Sequence, residues 1–185
     1  RAALVEADMW TKQIRNSGMG RFSDSLIRSL RIVRYDEGSI GNSDTSSSTV
    51  VTPSLVLSFD VSQDLCNDFD TLHGGAQATA VDIFTSILLH RVHQVPSVTT
   101  DLHVSCVSPA PLGSKVICIC KAEKYGGVLQ FSSCDLYREV GDTDSRNDET
   151  QQQQMILVAK GLHTKYVLKE RVKSFTLNKK PRSKL

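Results

Sequence analysis

The strongest hydrophobic pattern in the chain lies between residues 74 and 90, where apolar residues recur every three or four positions. That spacing predicts a helix. Further apolar residues widen the stripe around almost the whole circumference, which is typical of a buried helix. The apolar residues are Ala76, Ala80, Val81, Ile83, Phe84, Ile87, Leu88 and Leu89. One ionisable residue, Asp82, falls within this run. Because burying an unpaired carboxylate is costly, Asp82 needs either hydrogen-bond donors in the core or a role in chemistry.

Shorter apolar runs on both sides of this helix predict strands. The predicted strands before the helix are residues 26–35 and 50–61. The predicted strands after the helix are residues 98–107, 115–125, 128–138 and 155–168. Prolines and glycines separate the first strands after the helix, and Gly126 with Gly127 predicts a hairpin. Consecutive strands joined by turns favour an antiparallel sheet packed around one helix, which is an α+β fold.

The remaining segments are predicted to lie outside this sheet. Residues 1–20 place apolar side chains at helical spacing, which indicates a short amphipathic surface helix. Residues 38–48 and 141–154 are rich in polar residues and predict flexible insertions. A chain of 185 residues is long enough for one domain, which we place at residues 21–168. Residues 169–185 form a basic C-terminal tail.

Charge and composition exclude several functional classes. The last 18 residues carry +6 of charge, so the rest of the chain carries −4 of the +2 net charge. An acidic body argues against nucleic-acid binding. No apolar run reaches the roughly 18 residues that a membrane span needs. Five cysteines without metal-type spacing indicate small core residues in a reducing compartment, so we expect no metal site.

The final three residues, Ser183-Lys184-Leu185, form the peroxisomal import address when they end a protein. A basic, polar tail would leave them accessible to the import receptor. We therefore expect a peroxisomal protein, or one of a glycosome-type microbody, with that receptor as a partner.

The start of the predicted helix carries a second chemical feature. Gly74 and Gly75 let the backbone approach a ligand closely, and a helix N-terminus offers unpaired N–H groups and partial positive charge. This combination polarises a carbonyl oxygen or binds an anion, although a glycine pair can also be a simple turn. Asp82 lies eight residues beyond Gly74, about 12 Å along the axis. The two groups could share one substrate if a second copy of the helix packed alongside, as in a two-fold dimer.

The run from Asn67 through Leu72-His73-Gly74-Gly75 to Asp82 resembles the active-site segment of hotdog-fold acyl-CoA thioesterases of the PaaI-like branch. Residues 104–113 and 160–165 resemble the same branch, in the same order. The resemblance implies a hotdog fold, in which an antiparallel sheet wraps around a long central helix. It also implies homodimers joined edge to edge, often paired into homotetramers. No dinucleotide-binding fingerprint or P-loop occurs in the chain, so we expect no cofactor.

The resemblance further implies which residues bind the substrate. The Gly74 backbone N–H and the Asn67 side chain would hold the thioester oxygen. Both are neutral donors directed at an oxygen that gains charge in the transition state. His73 would orient the loop or the thioester, and Gly75 completes the substrate-binding turn.

The resemblance assigns the attack on the thioester to Asp82 of the facing subunit, either as general base on water or as nucleophile. A hydroxyl in the family helps this carboxylate hold the water, and Thr99 offers one here. CoA needs cations for its phosphates, and the candidates are Arg91, Lys121, Lys124, Lys160 and Lys165. His163 is either a ligand-contacting residue or a packed strand histidine.

Three functions therefore compete. The first is hydrolysis of a fatty or aryl acyl-CoA to free acid and CoA. The second is a hotdog enoyl-CoA hydratase or dehydratase, but the aspartate–histidine pair those relatives carry at the start of the helix is missing after Gly75. The third is a non-catalytic acyl-CoA binding protein, which the presence of Asn67, Gly74 and Asp82 disfavours. A serine hydrolase is excluded because no Gly-x-Ser-x-Gly motif occurs.

Overall fold

The computed structural model describes residue 12 and residues 23–40, 50–139 and 155–168. Its helices are α1, Asp24–Ser29, and α2, Gly74–His93. Its strands are β1, Arg31–Asp36; β2, Ser39–Ile40; β3, Val50–Val51; β4, Ser54–Asp60; β5, Ser97–Cys106; β6, Lys115–Lys124; β7, Leu129–Glu139; and β8, Met155–Val167. A single 3-10 turn spans Gln63–Leu65.

Six strands form one sheet in the order β1-β4-β6-β7-β8-β5. Every neighbouring pair in this sheet is antiparallel, and β2 and β3 form a separate two-stranded ribbon. The predicted α+β arrangement of an antiparallel sheet around one helix is therefore confirmed. Strand β5 lies at one edge of the sheet, where it pairs only with β8 among the described strands.

Helix α2 packs on one face of the sheet because its apolar residues meet the alternating apolar residues of the strands. Phe84 and Leu88 are fully buried, and the ring of Phe84 lies 5.9 Å from that of Phe59 on β4. Burying a side chain of this size contributes about 1.5–3 kcal/mol. The sheet presents to the helix mainly Leu55, Leu57, Val116, Cys118, Cys120, Cys134 and Leu136.

The sequence predicted where α2 ends. Gln94 adopts a left-handed conformation with φ of 50° and caps the helix through its N–H bond to the His90 carbonyl. Pro96 follows and cannot continue a helix. His90, Arg91 and His93 fall in the last turn, where positive charge favours the helix dipole.

Two strand predictions before α2 are partly wrong. Residues 26–35 are not one strand, since α1 covers Asp24–Ser29 before β1 begins at Arg31. Leu26, Ile27 and Leu30 are buried at helical spacing, so the apolar run that resembled a strand is the buried side of a short helix. The predicted strand 50–61 is split into β3 and β4, because Pro53 between them has no N–H to donate to a ladder.

The prediction that the cysteines are core residues is also corrected at two positions. Cys118, Cys120 and Cys134 are fully buried as expected, but Cys106 at the end of β5 is exposed and Cys66 is half-buried. Cys106 is exposed because β5 is an edge strand. All five thiols are free.

Several sequence predictions lie outside the described residues. They concern residues 1–20 apart from residue 12, most of 38–48, residues 141–154 and residues 169–185. Within 38–48, Ser39–Ile40 is a short strand rather than an irregular loop. In the described part of the chain, no helix combines the length and apolar character that crossing a membrane requires.

Helix α2 packs tightly against β8 at Gly161. A Cβ atom at this position would lie 2.5 Å from both methyl groups of Val81. We expect Gly161→Ala to lower the free energy of unfolding by about 1–3 kcal/mol, because the added methyl overpacks the core. Urea denaturation measures this change.

A matched glycine supplies the control for this experiment. A Cβ atom at Gly127 would meet nothing closer than the Leu129 carbonyl at 3.7 Å, so Gly127→Ala should leave stability nearly unchanged. Val81→Ala should lower the free energy of unfolding less in the Gly161→Ala variant than in the wild type. The smaller side chain at residue 81 makes room for the methyl group added at residue 161. Wild-type stability of Gly161→Ala would show that this contact is not tight.

Candidate active site

The loop before α2 is organised by the Asn67 side chain. Its Oδ1 accepts hydrogen bonds from the backbone N–H groups of Phe69 at 3.0 Å and Thr71 at 3.2 Å, and from the Thr71 hydroxyl at 3.1 Å. These donors fix the orientation of the amide, because only its oxygen can accept. The Nδ2 group meets no acceptor among the described residues, so Asn67 has a neutral donor left over.

His73 caps the N-terminus of α2. Its Nδ1 accepts a hydrogen bond from the Gly75 N–H at 2.9 Å. A Cβ atom on residue 75 would lie only 3.0 Å from this Nδ1, so glycine at 75 makes room for the cap. The Gly74 N–H has no acceptor within the described part of the chain. The cap thus satisfies one amide of the first turn and leaves the neighbouring amide for a ligand.

These four residues form what we call the donor loop: Asn67, His73, Gly74 and Gly75. Backbone bonds from Leu72 N–H to the Ala110 carbonyl and from His73 N–H to the Leu65 carbonyl, both 2.8 Å, anchor it to the body of the domain. The Asn67 side chain is therefore held by its oxygen, and the Gly74 N–H lies at the first turn of α2; these are the two donors predicted to hold the thioester oxygen. Preorganised neutral donors of this kind stabilise an oxygen that gains negative charge.

Asp82 lies midway along α2 and faces β5 and β8. Its Oδ1 accepts a hydrogen bond from the Thr99 hydroxyl at 2.9 Å, and Nε2 of His163 lies 3.3 Å from the same atom. The Asp82 side chain is 41% exposed. Asp82 is therefore not a carboxylate sealed in the core, and it can accept hydrogen bonds from a bound water or substrate.

Of the two alternatives for His163, the structure favours the packed strand histidine, and its ring lies beside Asp82. The imidazole is 1% exposed, with Nδ1 2.6 Å from the Thr85 hydroxyl and Nε2 3.0 Å from the Thr99 hydroxyl. Burial and, to a smaller extent, the nearby Lys165 charge lower the pKa of His163 to about 4, although the negative charge of Asp82 acts in the opposite direction. His163 is thus neutral near pH 7.

The candidate cations for CoA phosphates are dispersed. Lys160 forms an ion pair of 3.4 Å with Asp135 on the face of the sheet away from α2, and the Arg91 guanidinium lies over the Tyr35 ring. Lys165 is only 7% exposed and faces α2 beside Thr99, so it does not form part of a surface phosphate site. Strand alternation, which puts Gly161, His163 and Lys165 on one face, was the available signal for this placement.

Helix α2 therefore carries two separate groups of candidate residues. The donor loop lies at the N-terminus of α2, and Asp82 with Thr99 lies eight residues further, about 12 Å along the axis. The two groups cannot act together on a single small group within one protomer.

Comparison with known proteins identifies the family. A family model of the thioesterase superfamily matches residues 69–145. Acyl-coenzyme A thioesterase 13 from Homo sapiens is 32% identical over 114 residues, which are 61% of this chain and 72% of that protein. The protein of the same name from Mus musculus has the same identity and coverage.

Solved structures show the same fold. Thioesterase superfamily member 2 from zebra fish superimposes with a TM-score of 0.64 at 20% identity, covering 87% of this chain and 97% of that one. The PaaI protein of E. coli gives 0.59 at 12% identity, covering 89% and 96%. The chain belongs to the thioesterase superfamily. It is a thioester hydrolase with a hotdog fold, in which the six-stranded sheet wraps around α2.

Proposed function

We propose that this protein hydrolyses a fatty or aryl acyl-CoA to the free acid and CoA. The observation that carries the proposal is the donor loop, where neither Asn67 Nδ2 nor the Gly74 N–H meets an acceptor among the described residues. Both donors are then available for the thioester oxygen. The similarity to relatives named acyl-coenzyme A thioesterase 13 supports the substrate class. The Asp82–Thr99 pair supports hydrolysis because it offers a carboxylate beside a hydroxyl.

The chemistry follows from these groups. The thioester carbonyl oxygen binds between the two neutral donors, which stabilise its negative charge as the carbonyl carbon becomes tetrahedral. Asp82 either takes a proton from an attacking water or attacks the carbon itself, forming an anhydride that water then hydrolyses. In both routes the C–S bond breaks, the CoA thiolate leaves, and one water is consumed to give the free acid.

A two-fold homodimer would complete the site. The separation of about 12 Å within one helix supports a site in which the donor loop of one protomer acts together with Asp82 of its partner. Strand β5 carries Thr99 and lies at the sheet edge, where unpaired backbone groups can accept a second strand. We propose that two copies join along β5, and that dimers pair further into homotetramers.

A panel of acyl-CoA esters incubated with a thiol reagent tests the proposed activity. Release of free CoA thiol from fatty or aryl esters is the expected result. Loss of enoyl absorbance without thiol release would instead identify a hydratase or dehydratase. Acyl-CoA binding with neither reaction would identify a binding protein.

Sedimentation of the active species measures its oligomeric state. An active monomer would contradict the proposal that two protomers share the site.

Peroxisomal import is proposed from Ser183-Lys184-Leu185 alone, since the tail lies outside the described residues. A fluorescent protein fused upstream of the full chain is expected to enter peroxisomes through the import receptor. Deletion of Leu185 should leave the fusion in the cytosol, because the receptor reads all three residues. Unchanged import of the deletion would place the address elsewhere in the chain.

A further inference from the structure

Lys165 is a buried lysine whose charge is not paired with a carboxylate. The residue is 7% exposed, and no carboxylate of the described residues forms an ion pair with its ammonium. Its Nζ donates instead to the hydroxyls of Ser86 at 2.9 Å and Thr99 at 3.3 Å. Burial lowers the pKa of Lys165, while the negative charge of Asp82 acts in the opposite direction. Because placing an ammonium here costs free energy, the contacts it makes call for an explanation.

Both hydroxyls that Lys165 contacts donate a hydrogen bond to Asp82. Ser86 Oγ donates to the Asp82 backbone carbonyl at 2.6 Å, and Thr99 Oγ1 donates to the Asp82 carboxylate at 2.9 Å. The three residues come from three elements, since Ser86 is on α2, Thr99 on β5 and Lys165 on β8. Lys165 therefore ties the hydroxyl and the carboxylate into one network.

An ammonium has three donors and no acceptor, so it restricts what a neighbouring hydroxyl can do. Thr99 Oγ1 must accept from Lys165, which leaves its single proton for another acceptor. His163 Nε2 at 3.0 Å and Asp82 Oδ1 at 2.9 Å both lie within reach. The carboxylate is the stronger acceptor, and the adjacent positive charge makes the hydroxyl a better donor to it.

We infer that Lys165 is a positioning residue of the hydrolytic site: its ammonium, held by Ser86, directs the hydroxyl proton of Thr99 onto the Asp82 carboxylate. This inference rests on the proposed function, in which Asp82 carries the attack. The carboxylate orientation is thereby fixed, with its second oxygen left for water or for the thioester carbon. The side-chain hydrogen bonds of Lys165 go to Ser86 and Thr99, so it acts on Asp82 through Thr99.

The first test replaces Lys165 by methionine, which keeps the length of the side chain and removes its donors. We expect kcat for acyl-CoA hydrolysis to fall about tenfold while KM changes less than twofold, because the Thr99–Asp82 geometry matters in the transition state rather than for binding. Lys115→Met, the same change at an exposed residue at the start of β6, should leave both constants unchanged. Normal kcat in folded Lys165→Met would overturn the inference.

A double-mutant cycle with Thr99→Val tests whether Lys165 acts through the hydroxyl. Lys165→Met should change kcat less than twofold when Thr99 is already valine, because the proton that it positions is gone. If the loss of kcat in the double variant equals the product of the losses in the two single variants, the inference is wrong. Lys165→Arg keeps a cation with donors only, so it should retain more activity than Lys165→Met. A folded arginine variant whose kcat is about tenfold below that of the wild type would also overturn the inference. This comparison with the wild type does not require the methionine variant to fold.

Failure of this inference can be told apart from failure of the proposed function. If the wild-type protein releases no thiol from any acyl-CoA, the proposed function is wrong. If the wild type is active, Asp82→Asn is inactive and Lys165→Met has normal kcat, only the positioning role of Lys165 is wrong.

Discussion

Asp82→Asn is expected to lower kcat for acyl-CoA hydrolysis about a thousandfold, because an amide can neither take a proton from water nor attack the thioester. Asparagine has nearly the shape of aspartate and its oxygen can still accept the Thr99 hydroxyl bond of 2.9 Å. The fold and acyl-CoA binding should therefore persist. Thiol release measures the rate, and equilibrium binding of a non-hydrolysable acyl-CoA analogue measures affinity.

Asp135→Asn provides the matched control for this substitution. Asp135 is on β7, on the face of the sheet away from α2, and its charge pairs with Lys160 at 3.4 Å. Exposed ion pairs contribute little to stability, so Asp135→Asn should keep the wild-type rate. A folded Asp82→Asn protein with normal kcat would remove Asp82 from the mechanism.

Asn67→Asp is expected to lower kcat/KM about a hundredfold, which is typical for loss of one donor to a developing oxyanion. The substitution separates the two functions of this side chain. An aspartate oxygen can still accept the bonds from Phe69 and Thr71 that shape the loop, whereas the Nδ2 donor is lost and a negative charge is placed near the thioester oxygen. Thermal melting should change little.

Asp68→Asn is the control for Asn67→Asp, since it makes the reverse change at the adjacent exposed residue. It should preserve both the rate and the melting temperature. If Asn67→Asp hydrolyses acyl-CoA as fast as the wild type, the thioester oxygen does not bind to Asn67. Lost stability together with lost activity would show that the loop itself depends on the amide.

The central helix and the strands after it could be predicted closely from the sequence. The apolar residues of α2 repeat over several turns, and Pro96 marks the end of the helix, so local pattern alone defines this element. The run from Leu26 to Leu30 was misassigned because a short apolar stretch fits a strand and a buried helix equally well. Only packing against β4 decides between them, and packing is not local.

The candidate site was predictable in part for the same reason. Asn67, His73, Gly74 and Gly75 are close in sequence, so a motif can indicate their joint function. Asp82, Thr99 and Lys165 come from a helix and two strands, and their contact depends on how β5 and β8 pair beneath α2. Strand alternation shows that Lys165 faces the helix, but it does not show which hydroxyl its ammonium reaches.

The close approach of Gly161 to Val81 has a consequence for heating. Val81 precedes Asp82 on α2, and Gly161 lies four residues before Lys165 on β8. The carboxylate, the hydroxyl and the ammonium therefore keep their spacing only while the helix stays seated at this contact. A small displacement of α2 away from the sheet would separate these three groups while the strands stay hydrogen-bonded. We therefore expect the rate of turnover to fall at temperatures where the sheet is still intact.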